Sequence, residues 1–177
     1  MIIVVSSPSA SGKTTLVNYV ASVLPIKRVI TTTTRPKRLE ERGDEYHFVN
    51  SEKFEEIASA HGFIEIENVY GNQYGLQFKD IDETVDNIVI LDVKGARTMR
   101  HLYGDKVKTI FIYPPSLDVI EERINARNVE NVIEKNERLT RVQEELDSVI
   151  EFDHVVCVDS LEKMMRKMLE LVSMICG

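Results

Sequence analysis

The segment Ser6-Ser7-Pro8-Ser9-Ala10-Ser11-Gly12-Lys13-Thr14-Thr15 has the residue types and order that phosphate chemistry needs. It follows the apolar run Ile2-Ile3-Val4-Val5 and opens a helical pattern, Lys13 to Leu24, with Leu16, Val20 and Val23 on one face. A turn between a strand and a helix aims backbone N–H groups and the positive end of the helix dipole at an anion. A lysine at that point supplies a positive charge for the terminal phosphates of a nucleotide, and the hydroxyl after it can hold Mg²⁺. The candidate ATP-phosphate residues are therefore Ser7, Ser9, Ala10, Ser11, Gly12, Lys13, Thr14 and Thr15. Lys13 is the catalytic cation among them and Thr14 the metal ligand. The order departs from G-x-x-x-x-G-K-[ST] at the first glycine, where Ser7 stands. A serine-capped helix start with no ligand is the competing reading.

Two further groups carry possible chemistry. Thr31-Thr32-Thr33-Thr34-Arg35-Pro36-Lys37-Arg38 places three cations among four hydroxyls, the densest basic cluster in the chain. An arginine fork can give two parallel hydrogen bonds to a phosphate dianion, although the same segment could be a solvated loop. Glu65 interrupts the apolar strand Phe63-Ile64-Glu65-Ile66. It is either a surface residue on an alternating strand or a reader of a base edge. A carboxylate accepts two parallel bonds, which suits the adjacent N1–H and N2–H₂ donors of guanine and not the acceptor at N1 of adenine. Tyr46 and Tyr74 could be strand aromatics or part of the same site.

Positioning such groups calls for a sheet covered on both faces. Ile2 to Val5, Val29 to Thr31, Asn87 to Val93, Lys108 to Tyr113 and His154 to Val158 are short β-branched or apolar runs, and helical patterns separate them. This predicts a three-layer α/β fold around a parallel five-stranded sheet. Residues 32–79 and about 123–138 break the rhythm. The first stretch predicts a small mixed element with a turn at Gly71-Asn72, and the second is charged. No Pro/Gly/Ser linker isolates either, so 1–177 reads as one domain. In the last helix Leu161, Met164, Met165, Met168, Leu169, Val172 and Ile175 form a stripe expected to dock on the sheet.

Composition narrows the partners. The chain has 22 Lys+Arg against 29 Asp+Glu, a net charge of −7, which argues against a nucleic-acid binder. Any phosphate ligand must then meet a local concentration of cations. The apolar runs fall far short of the roughly 20 residues of a spanning helix, so no membrane partner is expected. Cys157 and Cys176 have no metal or disulfide spacing, and the four histidines are scattered. A reduced, cytoplasmic protein, monomer or homodimer, is the expectation.

Taken in order, these residues resemble the guanylate kinase family. The resemblance is carried by Pro8-Ser9, Gly12-Lys13-Thr14, Thr33-Thr34-Arg35 with Arg38, and Asp44 to Val49. It continues through Phe63-Ile64-Glu65, Tyr70 to Gly75, Leu91 to Gly95, Pro114 to Ser116, Arg123, Arg127, Arg138-Leu139, Glu145-Leu146 and Val158-Asp159. It implies a P-loop NTPase core (1–31 and 80–177), a nucleoside-monophosphate-binding insertion (32–79) and a helical lid (about 123–138). The implied activity is transfer of phosphate from ATP, with Mg²⁺, to GMP and to dGMP. Arg35, Arg38, Tyr46 and Tyr74 match the positions that hold the GMP phosphate, and Thr31, Glu65 and Asp92 those that contact guanine. Arg123, Arg127 and Arg138 match the arginines that bridge the two nucleotides, Arg123 and Arg127 also serving ATP and Arg35, Arg127 and Arg138 counted as catalytic. Arg123 and Arg127 also share one helical face. Departures fall at Ser7 and Ala10, where the family has loop glycines, and at Leu39-Glu40-Glu41-Arg42, which lacks the usual Gly-Glu pair. Ile90 stands at a place often acidic, and Val158 replaces a polar residue. A non-catalytic module of the same type, or a kinase for another small phosphate acceptor, is the alternative.

Overall fold

The computed structural model describes residues 1–8, 11–39, 41–114, 116, 120, 132–157 and 160–177, with side chains from residue 139 onward in the helix that begins at Val132. Ser9, Ala10, Arg123, Arg127, Pro115, Val158, Asp159 and the side chain of Arg138 lie outside that description. In chain order the elements are β1 (Ile2–Ser6), α1 (Lys13–Val23), β2 (Lys27–Arg28), β3 (Thr32–Thr33), β4 (His47–Phe48) and α2 (Ser51–Ser59). They continue with β5 (Phe63–Val69), β6 (Asn72–Gln77), β7 (Asn87–Ile90), α3 (Val93–Tyr103), β8 (Val107–Tyr113), α4 (Val132–Asp147), β9 (His154–Cys157) and α5 (Leu161–Cys176).

The main sheet runs β2-β7-β1-β8-β9, and every pairing in it is parallel. Alternation along β1 assigns its two faces. Ile3 and Val5 pack with Leu16 and Val20 of α1 and with Met168 and Val172 of α5. Ile2 and Val4 pack on the opposite side with Ala96 and Met99 of α3. This is the three-layer α/β core expected from continuous apolar strands. The Met-rich stripe of α5 docks in part: Met164, Met168 and Val172 are buried and Met165 and Ile175 pack beside them, while Leu161, at the start of the helix, is exposed. α4 seats Val142 and Leu146 against Phe111 of β8. Among the described residues no helix is long and apolar enough to cross a membrane.

Three local expectations shift. The run Val29 to Thr31 is not a strand of the main sheet; the paired residues are Lys27 and Arg28. Val29 still donates to Ile88 O at 2.9 Å, but the Thr31 carbonyl accepts from His47 N at 2.9 Å. The β-branched run is thus divided between two sheets, with Thr31 at the crossing. β7 stops at Ile90 instead of Val93, because the Asp92 carboxylate accepts from Gly95 N at 2.8 Å and caps α3. The hairpin turns one residue earlier than expected, at Tyr70 and Gly71, whose φ angles of 49° and 75° give the doubly left-handed turn that suits two-residue hairpins.

The second sheet, order β4-β3-β6-β5, is mixed: β3 and β4 run parallel, while β6 pairs antiparallel with β3 and β5. A bulge between Phe63 and Glu65 adds one residue to β5 opposite β6. It takes Phe63 out of phase with the rest of the strand. Phe63 stacks on Phe54 of α2 at 4.5 Å, while Glu65 and Glu67, two residues apart, both line the cleft between the sheets. Phe54 is fully buried and anchors α2 beneath this bulge. Phe54→Ala should lower stability by about 3–5 kcal/mol in urea unfolding. A loss under about 1 kcal/mol would mean that the aromatic stack does not hold the second sheet to α2.

Candidate functional site

A cleft of about 640 Å³ opens where the C-terminal ends of β1 and β7 face the second sheet. Parallel sheets leave a crevice there because the connections depart in different directions. One wall is the loop between β1 and α1 together with the first turn of that helix, from which Ser7, Ser11, Gly12, Lys13, Thr14 and Thr15 reach the cleft. Gly12 has φ 88° and sits at the N-cap of α1. Ser7 is not among the residues with positive φ, so a serine in place of glycine carries no left-handed strain. The Ser7 and Ser11 hydroxyls are in hydrogen-bond contact. Lys13 folds back over the loop, its Nζ donating to Ser7 O at 2.6 Å, Ser7 Oγ at 3.0 Å and Pro8 O at 3.1 Å. These bonds hold the ammonium against the turn between β1 and α1. Thr14 follows it in the first turn of α1, half-buried on the cleft side.

The opposite wall carries Arg35, Arg38, Tyr46 and Tyr74. Arg35 is built into an aromatic and anionic cage. Its guanidinium lies 5.4 Å from the Tyr46 ring centroid and 5.5 Å from that of Phe48. Both arms of its fork donate to Glu41, Nη1 to Oε2 at 3.1 Å and Nη2 to Oε1 at 2.5 Å. Burial works to lower the Arg35 pKa, but the bonds and charges of Glu41 and Tyr74 outweigh it and leave the guanidinium more firmly protonated. Burial likewise works to raise Glu41, and Arg35 and the Arg38 amide overcome it and hold the carboxylate low. The Arg38 backbone N–H donates to Glu41 Oε2 at 2.7 Å, while its side chain is exposed and borders the cleft. Tyr46 and Tyr74 meet edge to face at 5.9 Å, and burial raises the Tyr46 phenol.

Between these walls Thr31, Glu65, Glu67 and Asp92 form the floor. Burial, then the neighbouring Asp92 and Glu67, pushes the Glu65 carboxyl up to about 8. Asp92 uses both oxygens: Oδ1 caps α3 through Gly95 N at 2.8 Å and Oδ2 accepts from Arg141 Nη2 at 2.9 Å. Glu145 of α4 also borders the cleft. Burial raises its carboxyl against the opposing pull of Lys13 and Arg141.

The candidate residues on described positions thus converge on one cleft, from segments far apart in the chain. Ser9, Ala10, Arg123, Arg127 and the Arg138 side chain fall outside the described residues. Residue types and spacing did not single out Glu41, Glu145 or Arg141. Glu41 was hidden in a charged stretch that read only as a departure from a motif. Arg141 and Glu145 were legible as an i, i+4 pair, which ordinarily marks a solvated helix face.

The family model described as guanylate kinase matches residues 1–174. A guanylate kinase of Chlorobaculum tepidum is 38% identical over 169 residues, covering 90% of this chain and 85% of the relative. A solved guanylate kinase from Anaplasma phagocytophilum superposes with a TM-score of 0.76 at 26% identity, covering 99% of this chain and 86% of that one. A gluconokinase from Sinorhizobium meliloti shares the fold alone, with a TM-score of 0.54 at 16% identity over 98% of this chain and 92% of that one. With a family match over nearly its whole length and a relative 38% identical over 90% of it, the chain belongs to the guanylate kinase family.

Proposed function

We propose that the chain transfers the γ-phosphate of ATP to GMP, and also to dGMP, giving ADP and the nucleoside diphosphate. The observation that carries this reading is the opening of Lys13, Arg35 and Glu65 into a single cleft. One cation faces the donor phosphates, another faces the acceptor phosphate, and a carboxylate lies where a guanine edge would reach. Phosphoryl transfer needs alignment and charge neutralisation more than a general base. Lys13 would neutralise the charge that builds between the nucleotides. Arg35 and Arg38, with the Tyr46 and Tyr74 hydroxyls, would hold the GMP phosphate. Thr31, Glu65 and Asp92 would face the base. Arg123, Arg127 and Arg138 would bridge the phosphates of the two nucleotides, with about 123–138 as the lid, 32–79 as the GMP-binding part and the remainder as the core.

Magnesium fits this site as an ion carried in with the nucleotide. Mg²⁺ usually takes one or two protein oxygens and completes its shell with phosphates and water. Thr14 offers one such oxygen beside Lys13, and among the described residues no cluster of three or more His, Cys, Asp or Glu forms a closed cage. When bound, the ion would offset phosphate charge. We place the reaction in the cytoplasm, in keeping with the two cysteines, neither of which is in a disulfide.

A coupled ADP-release assay across GMP, dGMP, AMP, CMP and UMP tests the reading directly. Lys13→Ala should lower kcat by at least about a hundredfold and leave the GMP Kd within about threefold. Loss of GMP affinity along with turnover would misplace Lys13.

The base readout predicts a substrate pattern. IMP keeps N1–H and lacks the 2-amino group, so the protein should use it markedly less well than GMP. Glu65→Gln should reduce kcat/KM for GMP at least about tenfold and shrink the gap to IMP, because an amide points a donor at a donor. Equal use of GMP and IMP by the native protein would remove Glu65 from the base contact.

The Glu65 carboxyl also predicts a pH dependence. In the free protein it is raised to about 8, and only its ionised form accepts both guanine donors. Binding therefore expels a proton and strengthens as pH rises, levelling off above 8. At pH 7 the GMP Kd should be about tenfold weaker than its limiting value. Calorimetry in buffers of different ionisation enthalpy should show close to one proton released per GMP. Release of none between pH 6.5 and 7.5 would contradict it.

A further inference from the structure

Arg141 belongs to none of the segments that carry the family resemblance, yet its guanidinium joins three walls of the cleft. Nη2 donates to Asp92 Oδ2 at 2.9 Å, Nη1 to Glu67 Oε1 at 3.3 Å and Nε to Glu145 Oε1 at 3.3 Å. These carboxylates come from the cap of α3, from β5 of the second sheet and from α4 itself. Arg141 and Glu145 each precede a residue, Val142 and Leu146, that is buried in the core, so the packing of α4 fixes where the guanidinium can lie.

Two of the carboxylates it gathers, Glu67 and Asp92, share the floor of the cleft with Glu65. Glu65, Glu67 and Asp92 lie on one floor, and like charges so close repel unless a cation is set among them. Lys94 also approaches Glu67, at 3.5 Å, but its side chain is 71% exposed, and such a contact is largely screened. The Arg141 side chain is 25% exposed and presents a rigid plane of donors that fixes direction as well as charge. An ammonium could neutralise these groups but could not fix their orientation.

We propose that Arg141 is a positioning residue for guanine recognition: by bridging Asp92 and Glu67 it holds the acidic floor of the cleft in the arrangement that receives the base. The inference rests on the GMP reading above. It acts through Asp92, whose outer oxygen it holds while the inner one caps α3.

The test is a double-mutant cycle on GMP binding by the full chain. Arg141→Met should weaken the GMP Kd and raise the GMP KM about tenfold or more, with kcat within about threefold and the ATP KM within about twofold. In the Asp92→Asn background, where the helix cap survives, the same change should cost under threefold, because the contact it removes is already weakened. Arg141→Lys, which keeps charge without the fork, should fall between native and Met. If Arg141→Met does not fold, Arg141→Lys serves alone: a threefold to tenfold loss of GMP affinity is expected, and native affinity overturns the proposal. A folded Arg141→Met with unchanged GMP Kd overturns it. So does an effect that simply multiplies with Asp92→Asn, or a fall in kcat with the GMP KM intact. A native protein that does not phosphorylate GMP removes the reading beneath the proposal. Normal GMP activity with an indifferent Arg141 removes the proposal alone.

Discussion

β1 is hydrogen-bonded along both edges, to β7 on one side and β8 on the other, and this central parallel ladder determines where the chemistry lies. All strands of the sheet run the same way, so β1 and β7 deliver their C-terminal ends to the same edge. β1 there releases the loop that carries Lys13, and β7 releases Asp92. The buried aliphatic residues of β1 make that register difficult to change, since a one-residue slip would exchange the faces that meet α1 and α3. The distance between the phosphate loop and the base floor is therefore set by core packing, far below the groups that use it.

The electrostatics of the cleft follow from an acidic chain that has to gather anions. Its cations are held in place locally: Lys13 against loop carbonyls, Arg35 against Glu41, Arg141 against Asp92 and Glu67. Each guanidinium is partly withdrawn from water, where an ionic contact is less screened than at the surface. The floor has the opposite character. There carboxylates crowd, and burial with the neighbouring Asp92 and Glu67 pushes the Glu65 carboxyl up to about 8. Positive walls around a floor of carboxylates would suit the two chemically different ends of the proposed nucleotide ligand.

Most of this framework was legible in the residues, and the shortfalls have physical causes. Continuous runs such as Ile2 to Val5 and Lys108 to Tyr113 announce buried parallel strands, and the order Gly12-Lys13-Thr14 after a strand announces the start of α1. The run Val29 to Thr31 misleads because β-branched residues state a preference for strand without stating which sheet. Asp92 ends β7 early because a capping bond competes with the ladder, a contest that apolar periodicity does not register. The bulge before Glu65 accompanies the stacking of Phe63 on Phe54, residues whose partnership spans the loop after α2. Arg141 and Glu41 work through partners that only folding brings near, and charged residues in charged stretches look alike from sequence.

The Arg35–Glu41 pair alters what binding at that wall consists of. The guanidinium is already stripped of much of its water and oriented by a carboxylate that matches its fork, so those costs fall on folding and not on the encounter with ligand. An incoming anion enters an exchange in which it must outbid an intramolecular rival held at fixed distance. A group with one diffuse charge gains little from such an exchange, whereas a compact dianion gains more from the same cation. Glu41 would thereby set a threshold of charge density at the wall, which would discriminate among anions by the resident it already holds.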